Sequence, residues 1–382
     1  MVDYQTKAPG VYIEEITPAG PIAGSGTSTA ALIGTVTANL PNGQLGVPVA
    51  VTSWSGYVAA FGGFDRNLNL PFAVRGYFEN GGTLAYIAPI KDMAGLPAAL
   101  DALTRVPDVS LVALPGVVDP AVQTTVITHC ETMGDRFAVL DGAPDATPLK
   151  NDGALQTQRG GLLSRNGFAG LYWPWIVISD PTVAPGAAPA TLTKPPSGHV
   201  AGIMARSDNQ RGVHKAPANE PVRGAIDLAY PLNDTEQGTL NQKNINALRS
   251  FPGRPPLVWG ARTLTDGTPW RYVNVRRLFS YVEDSILAGV RWAVFEPNNT
   301  GLWKGLERSI TEFLTRVWQS GALFGRTAAE AFYVKIDDEL NPDSTRALGE
   351  VHIEIGMAPV RPAEYVVVRI GIWDGGAQVN EG

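Results

Sequence analysis

The chain is short of what marks several common protein classes, and each shortage removes a possibility. A single cysteine, Cys130, among 382 residues excludes an internal disulfide framework and a thiolate-based metal cluster. Lys and Arg number 30 against 36 Asp and Glu, a net charge of −6, so the basic excess of a dedicated nucleic-acid binder is missing. No uninterrupted apolar run approaches the ~18 residues of a membrane span. The opening Met1-Val2-Asp3-Tyr4-Gln5-Thr6-Lys7 also lacks the basic and apolar regions of a signal peptide. Folding in the cytoplasm, without insertion into a membrane, is the resulting expectation. No Gly-x-x-x-x-Gly-Lys phosphate loop and no Gly-x-Ser-x-Gly elbow occur, and Gly24-Ser25-Gly26 lacks the following glycine and helix of a dinucleotide fingerprint. The four histidines, His129, His199, His214 and His352, stand apart without His-x-x-x-His spacing, so neither a metal nor a cofactor is expected.

What is present is a chain with room for two or three domains and, at 44% hydrophobic residues, a proper core. Its 42 glycines and 30 prolines make up about 19% of the residues, against a usual ~12%, which fits many short strands joined by structured loops.

Both ends of the chain read as detachable strands. Near the C-terminus, Tyr365-Val366-Val367-Val368-Arg369-Ile370 is β-branched and aromatic, and alternation puts Val366, Val368 and Ile370 on one face. Burying three such side chains contributes roughly 5 to 9 kcal/mol. Ordering six residues costs about 6 to 12 kcal/mol, so the strand is marginal unless its whole ladder pairs with a ready-made sheet. At the N-terminus, Pro9-Gly10 precedes the strand Val11-Tyr12-Ile13-Glu14-Glu15-Ile16, and Thr17-Pro18-Ala19-Gly20-Pro21 then forms a stiff, extended spacer. The two strands either pair inside one domain or leave their own fold to complete another chain's sheet.

Between the ends, the predicted order is that of layered α/β structure. Strands are expected at 30–36, 47–51 and 83–88, with helices through Tyr57 and through Leu70, Val74 and Phe78. From Asp92 the strands 109–114, 137–140 and 171–178 alternate with helices 120–133 and 151–165, a doubly wound lobe that closes in a loop over 180–196. The last third is expected to hold a helix over 239–249 and a strand over 257–264. Two amphipathic helices follow, one through Val275, Leu278, Val282 and Ile286 and one through Leu302, Leu306, Ile310, Phe313 and Val317, with a strand over 290–295 between them. Thr327-Ala328-Ala329-Glu330 has capping-box form, and strands over 332–336 and 351–357 come after it. The fold class is therefore mixed α/β. The expected domains are an arm and linker over 1–21, a discontinuous core over 22–91 with 201–361, an inserted outer lobe over 92–200, and a C-terminal arm over 362–382.

Chemistry is sparse. Asp119, Asp141 and Asp180 lie in the outer lobe, and a carboxylate after a strand, as Asp141 is, often lines a site in α/β sheets; Asp141-Gly142-Ala143-Pro144 also reads simply as a turn. An α/β enzyme with its catalytic lobe at 92–200 is one reading, and loss of turnover in Asp141→Asn with assembly state unchanged is its signature. His129 and Cys130 are helix neighbours whose side chains diverge, and Trp173-Pro174-Trp175 suits packing or an interface. Arg276-Arg277 on one late helix, and Lys304 and Arg308 on the next, are expected to form basic patches.

Several long, ordered stretches carry a resemblance: Pro9-Gly10-Val11-Tyr12-Ile13-Glu14-Glu15, Tyr230-Pro231-Leu232-Asn233, Val258-Trp259-Gly260-Ala261-Arg262-Thr263-Leu264, Trp270-Arg271-Tyr272-Val273-Asn274-Val275-Arg276-Arg277, Trp292-Ala293-Val294-Phe295-Glu296-Pro297-Asn298, and Ala358-Pro359-Val360-Arg361-Pro362-Ala363-Glu364-Tyr365. In these the sequence resembles the contractile tail sheath proteins of phage tails, R-type pyocins and extracellular contractile injection systems. The resemblance implies a structural subunit that stacks as hexameric rings around an inner tube, meets baseplate and tail terminator proteins, and contracts to drive the tube through a target envelope. It implies that Val11 to Ile16 and Tyr365 to Ile370 are exchanged between neighbours and received beside a strand carrying Val351, Ile353 and Ile355. Lys304 and Arg308 are the candidate tube contacts by charge. The strand-like N-terminus sets the chain apart from type VI secretion sheaths, which carry an exposed N-terminal helix.

Overall fold

The computed structural model describes residues 21–38, 40, 44–184 and 186–368. By its contacts the chain forms two compact units, one of 27–278 with 360 onward, the other of 279–359 with the segment ending at Gly26.

The larger unit is built from β1 (Ala30–Gly34), β2 (Val49–Val51), α1 (Trp54–Phe61), α2 (Leu70–Glu79), β3 (Ala85–Pro89), α3 (Leu96–Leu103), β4 (Leu111–Ala113), α4 (Pro120–Met133), β5 (Phe137–Asp141), α5 (Ala154–Gly160) and β6 (Ala169–Trp173). It continues with β7 (Ile176–Ser179), β8 (Thr191–Lys194), α6 (Ser197–Arg211), β9 (Glu220–Pro221), β10 (Ala225–Leu228), α7 (Asp234–Gln242), β11 (Ile245–Arg249) and β12 (Leu257–Val258). Nine strands form one sheet in the order β2-β3-β1-β4-β5-β6-β11-β12-β9. The six from β3 to β11 are parallel, and the edges are antiparallel. Both faces are covered, which is why these strands are near-continuous apolar runs. Alternation divides each run: Ala30 and Leu32 of β1, with Phe137 and Val139 of β5, face α1, α2 and α6. Ala31, Ile33, Ala138 and Leu140 face α3, α4 and α7. Helices α2 and α6 pack closely because Gly198 and Gly202 lack side chains; a Cβ at either would lie 2.4 Å from the carbonyl oxygen of Ala73 or Tyr77.

Helix α8 (Val273–Gly289) begins in this unit and ends in the smaller one, which adds α9 (Thr300–Gln319), α10 (Ala328–Ala331), β13 (Phe332–Lys335), α11 (Asp343–Ala347) and β14 (Glu354–Met357). Asn299 starts α9 by accepting the Leu302 amide at 3.0 Å. The helix then buries Trp303, Leu306, Ile310, Phe313, Leu314 and Val317 along one stripe. Phe332 of β13 is buried, and β13 pairs with β14 as a separate two-stranded sheet.

Several expectations change. Within the larger unit the sheet runs without a break from β1 and β3 into β4, β5 and β6. The helix expected over 239–249 is the end of α7 followed by β11. Asn233 and Glu236 close a capping box that starts α7 early, and Asn244 turns the chain at φ 58° into the strand. The strand expected over 171–178 is β6 and β7, parted at Pro174, which has no N–H to give a ladder. The loop expected over 180–196 contains β8, whose Lys194 is buried with its ammonium on the carbonyls of Arg66 and Leu68. Only Leu257 and Val258 of the 257–264 strand pair as a ladder, and the 290–295 strand is a 3-10 turn over Arg291–Ala293. Thr327 makes no capping bond; the Glu330 carboxylate instead accepts the Arg326 amide.

Candidate assembly interface

The two-stranded β13–β14 sheet has the register Phe332↔Met357, Tyr333↔Gly356, Val334↔Ile355 and Lys335↔Glu354. Neither strand has a second ladder partner among the described residues. An isolated pair of strands is marginal in water, and its open edges are templates for further strands. Of the expected receiving residues, Ile355 lies in β14, while Val351 and Ile353 lie just before the ladder begins. There Asn341 holds His352 at both backbone polar groups, accepting its N–H at 2.6 Å and donating to its carbonyl at 2.9 Å. The segment leading into β14 is thereby held in place although it is unpaired.

In the smaller unit the N-terminal segment is fixed where it becomes described. Ile22 is buried against Gly289, where a Cβ would come within 2.6 Å of it, and its carbonyl accepts from Arg316 of α9 at 2.6 Å. Gly24 lies so close to Tyr281 that a Cβ would be 2.3 Å from the phenol oxygen, and the Ser25 amide donates to Ser285 at 2.9 Å. Val11 to Ile16 lie outside the described residues.

In the larger unit the C-terminal segment is fixed by one carboxylate. Glu364 accepts from Arg262 through Nε at 2.7 Å and Nη2 at 2.6 Å, and from the Tyr272 hydroxyl at 3.1 Å. Arg262 is itself aimed by donating Nη1 to the Asn241 carbonyl at 2.8 Å. Burial alone would raise the Glu364 pKa, but the bond and charge of Arg262, helped by Asn241 and Tyr272, hold it below the usual carboxylate range. Reciprocally, the Glu364 bond raises Arg262. The clasp borders a groove of about 710 Å³ lined in part by Trp259, Ala261, Val360 and Pro362. Immediately after it, Tyr365, Val366, Val367 and Val368 are 73–81% exposed and form no strand, so four large apolar side chains leave the clasp uncovered. Arg369 and Ile370 lie outside the described residues.

Lys304 and Arg308 are exposed on α9, opposite its buried stripe. Arg276 and Arg277 do not form the basic patch expected of them. Both are buried, Arg277 in an ion pair with Asp208 at 2.6 Å and Arg276 over the rings of Phe168 and Trp270.

The three candidate acids have local structural work. Asp119 caps α4 through the Ala121 amide. Asp180 accepts from Thr182 and pairs with Arg66 at 2.8 Å. Asp141 is fully buried and binds Gly116 N–H and both Ser197 donors at 2.7–2.9 Å; burial pushes its pKa up to about 6 despite those bonds. It thus fastens β5 to the start of α6. His129 is depressed to about 4 by burial and by Arg136, and Cys130 is buried. No cluster of potential metal ligands occurs among the described residues.

Sequence reasoning quoted the blocks around Arg262, Tyr272 and Glu364 without seeing that they meet. It missed Asn241, Tyr281, Ser285 and Arg316, whose spacing carries no motif.

The family model described as the phage tail sheath protein central domain matches residues 91–264, and that described as the phage tail sheath C-terminal domain matches 265–372. A prophage major tail sheath protein of Pseudomonas aeruginosa is 28% identical over 293 residues, covering 74% of this chain and 70% of the relative. The sheath of an extracellular contractile injection system, PVC, solved in its contracted state, is 31% identical with a TM-score of 0.82, over 96% of this chain and 98% of that one. The contracted helical sheath of the anti-feeding prophage is 32% identical with a TM-score of 0.78, over 96% and 99%.

Proposed function

Because the chain belongs to the phage tail sheath family and is a contractile sheath subunit, we infer that it polymerises as stacked hexameric rings around an inner tube by lending its two terminal strands to neighbouring copies. The observation that carries this is the pairing of fixed roots with an incomplete sheet. Ile22 and Glu364 anchor the chain just inside each arm, Tyr365 to Val368 leave exposed, and β13–β14 offers open edges. In this reading Val11 to Ile16 and Tyr365 to Ile370 of neighbours extend the sheet beside Val351, Ile353 and Ile355, adding backbone hydrogen bonds along both edges. Head-to-tail exchange closes into a ring where the rotation between copies completes a circle and propagates as a helical array where it does not, and a stack of linked rings uses both.

The extended sheath is a metastable state, and contraction repacks subunits about arms that stay connected, with no nucleotide needed at firing. Assembly takes place in the bacterial cytoplasm, between a baseplate and a terminator protein, with Lys304 and Arg308 facing the tube. Among its structural relatives, one is a solved baseplate assembly of the anti-feeding prophage. Negative-stain electron microscopy of the full chain beside a chain lacking residues 1–20 tests the exchange. Wide hollow tubes from the first and single particles from the second are expected; small closed oligomers from both would sink the reading.

A further inference from the structure

The larger unit holds a cavity of about 480 Å³ between α2, α6 and the strands β7 and β10. Phe64 and Phe72 form one wall, their ring centroids 4.9 Å apart and their planes tilted by 35°. Ile178, Ala225 and Ile226 add to the apolar surface. Phe72 is buried, whereas Ile226 is 55% exposed and so stands at the mouth.

The polar end is set by His199 of α6, which is 2% exposed and whose Nδ1 has no hydrogen-bond partner. Its ring sits directly on Gly76 of α2, where a Cβ would come within 2.3 Å of it, so the imidazole occupies room that only glycine leaves. A Cβ on Gly224, which also lines the cavity, would lie 3.7 Å from His199 Nε2 and 2.7 Å from Glu79 Oε2. Both polar atoms therefore border the Gly224 corner of the cavity. A buried polar group without a partner is costly, and its retention calls for a reason such as a ligand.

Charge and shape narrow what would satisfy it. Burial depresses His199 to about 4, so at neutral pH the imidazole is uncharged, with a hydrogen on one nitrogen and a lone pair on the other. Arg75 and Glu79 cancel each other in an ion pair, Arg75 Nε lying 2.5 Å from Glu79 Oε1. An ionic ligand would thus find no counter-charge beside the imidazole. A hydroxyl both donates and accepts, so it satisfies Nε2 in either tautomer. The tilted phenyl pair and the branched side chains suit a flat aromatic body.

We propose that this cavity binds a phenolic hydroxyl, with the ring between Phe64, Phe72 and Ile226 and the hydroxyl hydrogen-bonded to Nε2 of His199. No arm residue takes part, so the inference stands apart from strand exchange. The phenol is supplied either by a tyrosine side chain of a second copy or by a free small molecule.

The test uses 4-methylphenol and toluene, which has the same ring and methyl group without the hydroxyl, on the unassembled full-length chain. The Hε1–Cε1 NMR signals of the four histidines report binding. Saturable movement of the His199 signal alone is expected, with 4-methylphenol binding about 10-fold more tightly than toluene. Equal binding of the two, a still His199 signal, or movement of all four signals together, the mark of an adventitious additive only, would overturn the proposal. His199→Phe should keep toluene binding and erase the preference for the phenol. Ile226→Asp, at an exposed position that leaves the fold intact, should weaken both probes several-fold; undiminished binding there also overturns the proposal. Assembled tubes tell the two sources apart. Uptake of 4-methylphenol equal to that of free subunits marks a free phenol, and uptake lost in tubes, with growth slowed by the probe, marks a tyrosine of a second copy.

Discussion

Replacing Glu364 by Gln keeps the size of the side chain but removes the charge that two Arg262 nitrogens and Tyr272 share. The pair is well shielded, its side chains being 10% and 18% exposed, so the loss falls in the range of charge-assisted hydrogen bonds, about 1.5–3 kcal/mol each. One oxygen of the amide still accepts, which puts the net cost at about 2–3 kcal/mol, confined to the root of the arm. At 1.4 kcal/mol per decade, the segment should open about 30- to 140-fold more often. Hydrogen exchange over residues 360–366 reads this directly, while β5 and β11 in the same unit should keep their protection. The pH dependence has a definite sign. Glu364 is lowered in the folded state, so its contribution is complete above the ordinary value of about 4.3 and is lost as pH falls through the lower folded value. Wild type and Glu364→Gln should therefore differ by a constant amount at neutral pH and converge only in strong acid. A change of less than twofold over 360–366, or an equal rise in β5 and β11, would refute the clasp as a local anchor.

Asp141 behaves oppositely. Its pKa of about 6 lies about two units above the ordinary 3.8, so the folded state holds the proton more tightly, and stability should fall by on the order of 3 kcal/mol as pH rises from about 4 to 6. Urea unfolding of wild type should show this slope. Asp141→Asn should flatten it while costing about 1–3 kcal/mol at pH 5, because an amide nitrogen would face the donors of Gly116 and Ser197. Gly24→Ala would push a methyl into the Tyr281 hydroxyl and should lower thermal stability, with partial rescue by Tyr281→Phe, which removes the closest atom. Gly202→Ala meets the Tyr77 carbonyl and should cost about 1–3 kcal/mol in urea, with no rescue from any change at the Tyr77 side chain.

The sequence was most readable where periodicity and burial agree. Helices α8 and α9 carry an apolar stripe at helical spacing, and β1, β4 and β5 are short apolar runs bounded by turns, so both kinds of element were visible. Ile245-Asn246-Ala247-Leu248-Arg249 was not, because five mixed residues after α7 fit a helical face as well as a strand. What decides is β6, which pairs with this stretch in parallel and lies some 70 residues away in sequence. The turn at Arg291–Ala293 misled for a related reason: Val290, Trp292 and Val294 alternate like a strand, yet no other strand receives them among the described residues. The clasp was invisible for want of locality. Arg262 and Glu364 are 102 residues apart, and nothing near either one signals the other. Both arms read as strands from composition alone, and the described part of the second, Tyr365 to Val368, has the apolar side chains of a strand without a ladder.

The central claim is that β13–β14 is half of a sheet whose other strands belong to neighbouring copies. A cryo-electron microscopy reconstruction of the assembled polymer, at a resolution that traces the backbone, tests this most directly. The account predicts added strands on the open edges of β13 and β14, continuous with residues 11–16 and 365–370 of other subunits. A sheet that remains two-stranded in the polymer, or one completed by the arms of the same chain, would contradict it.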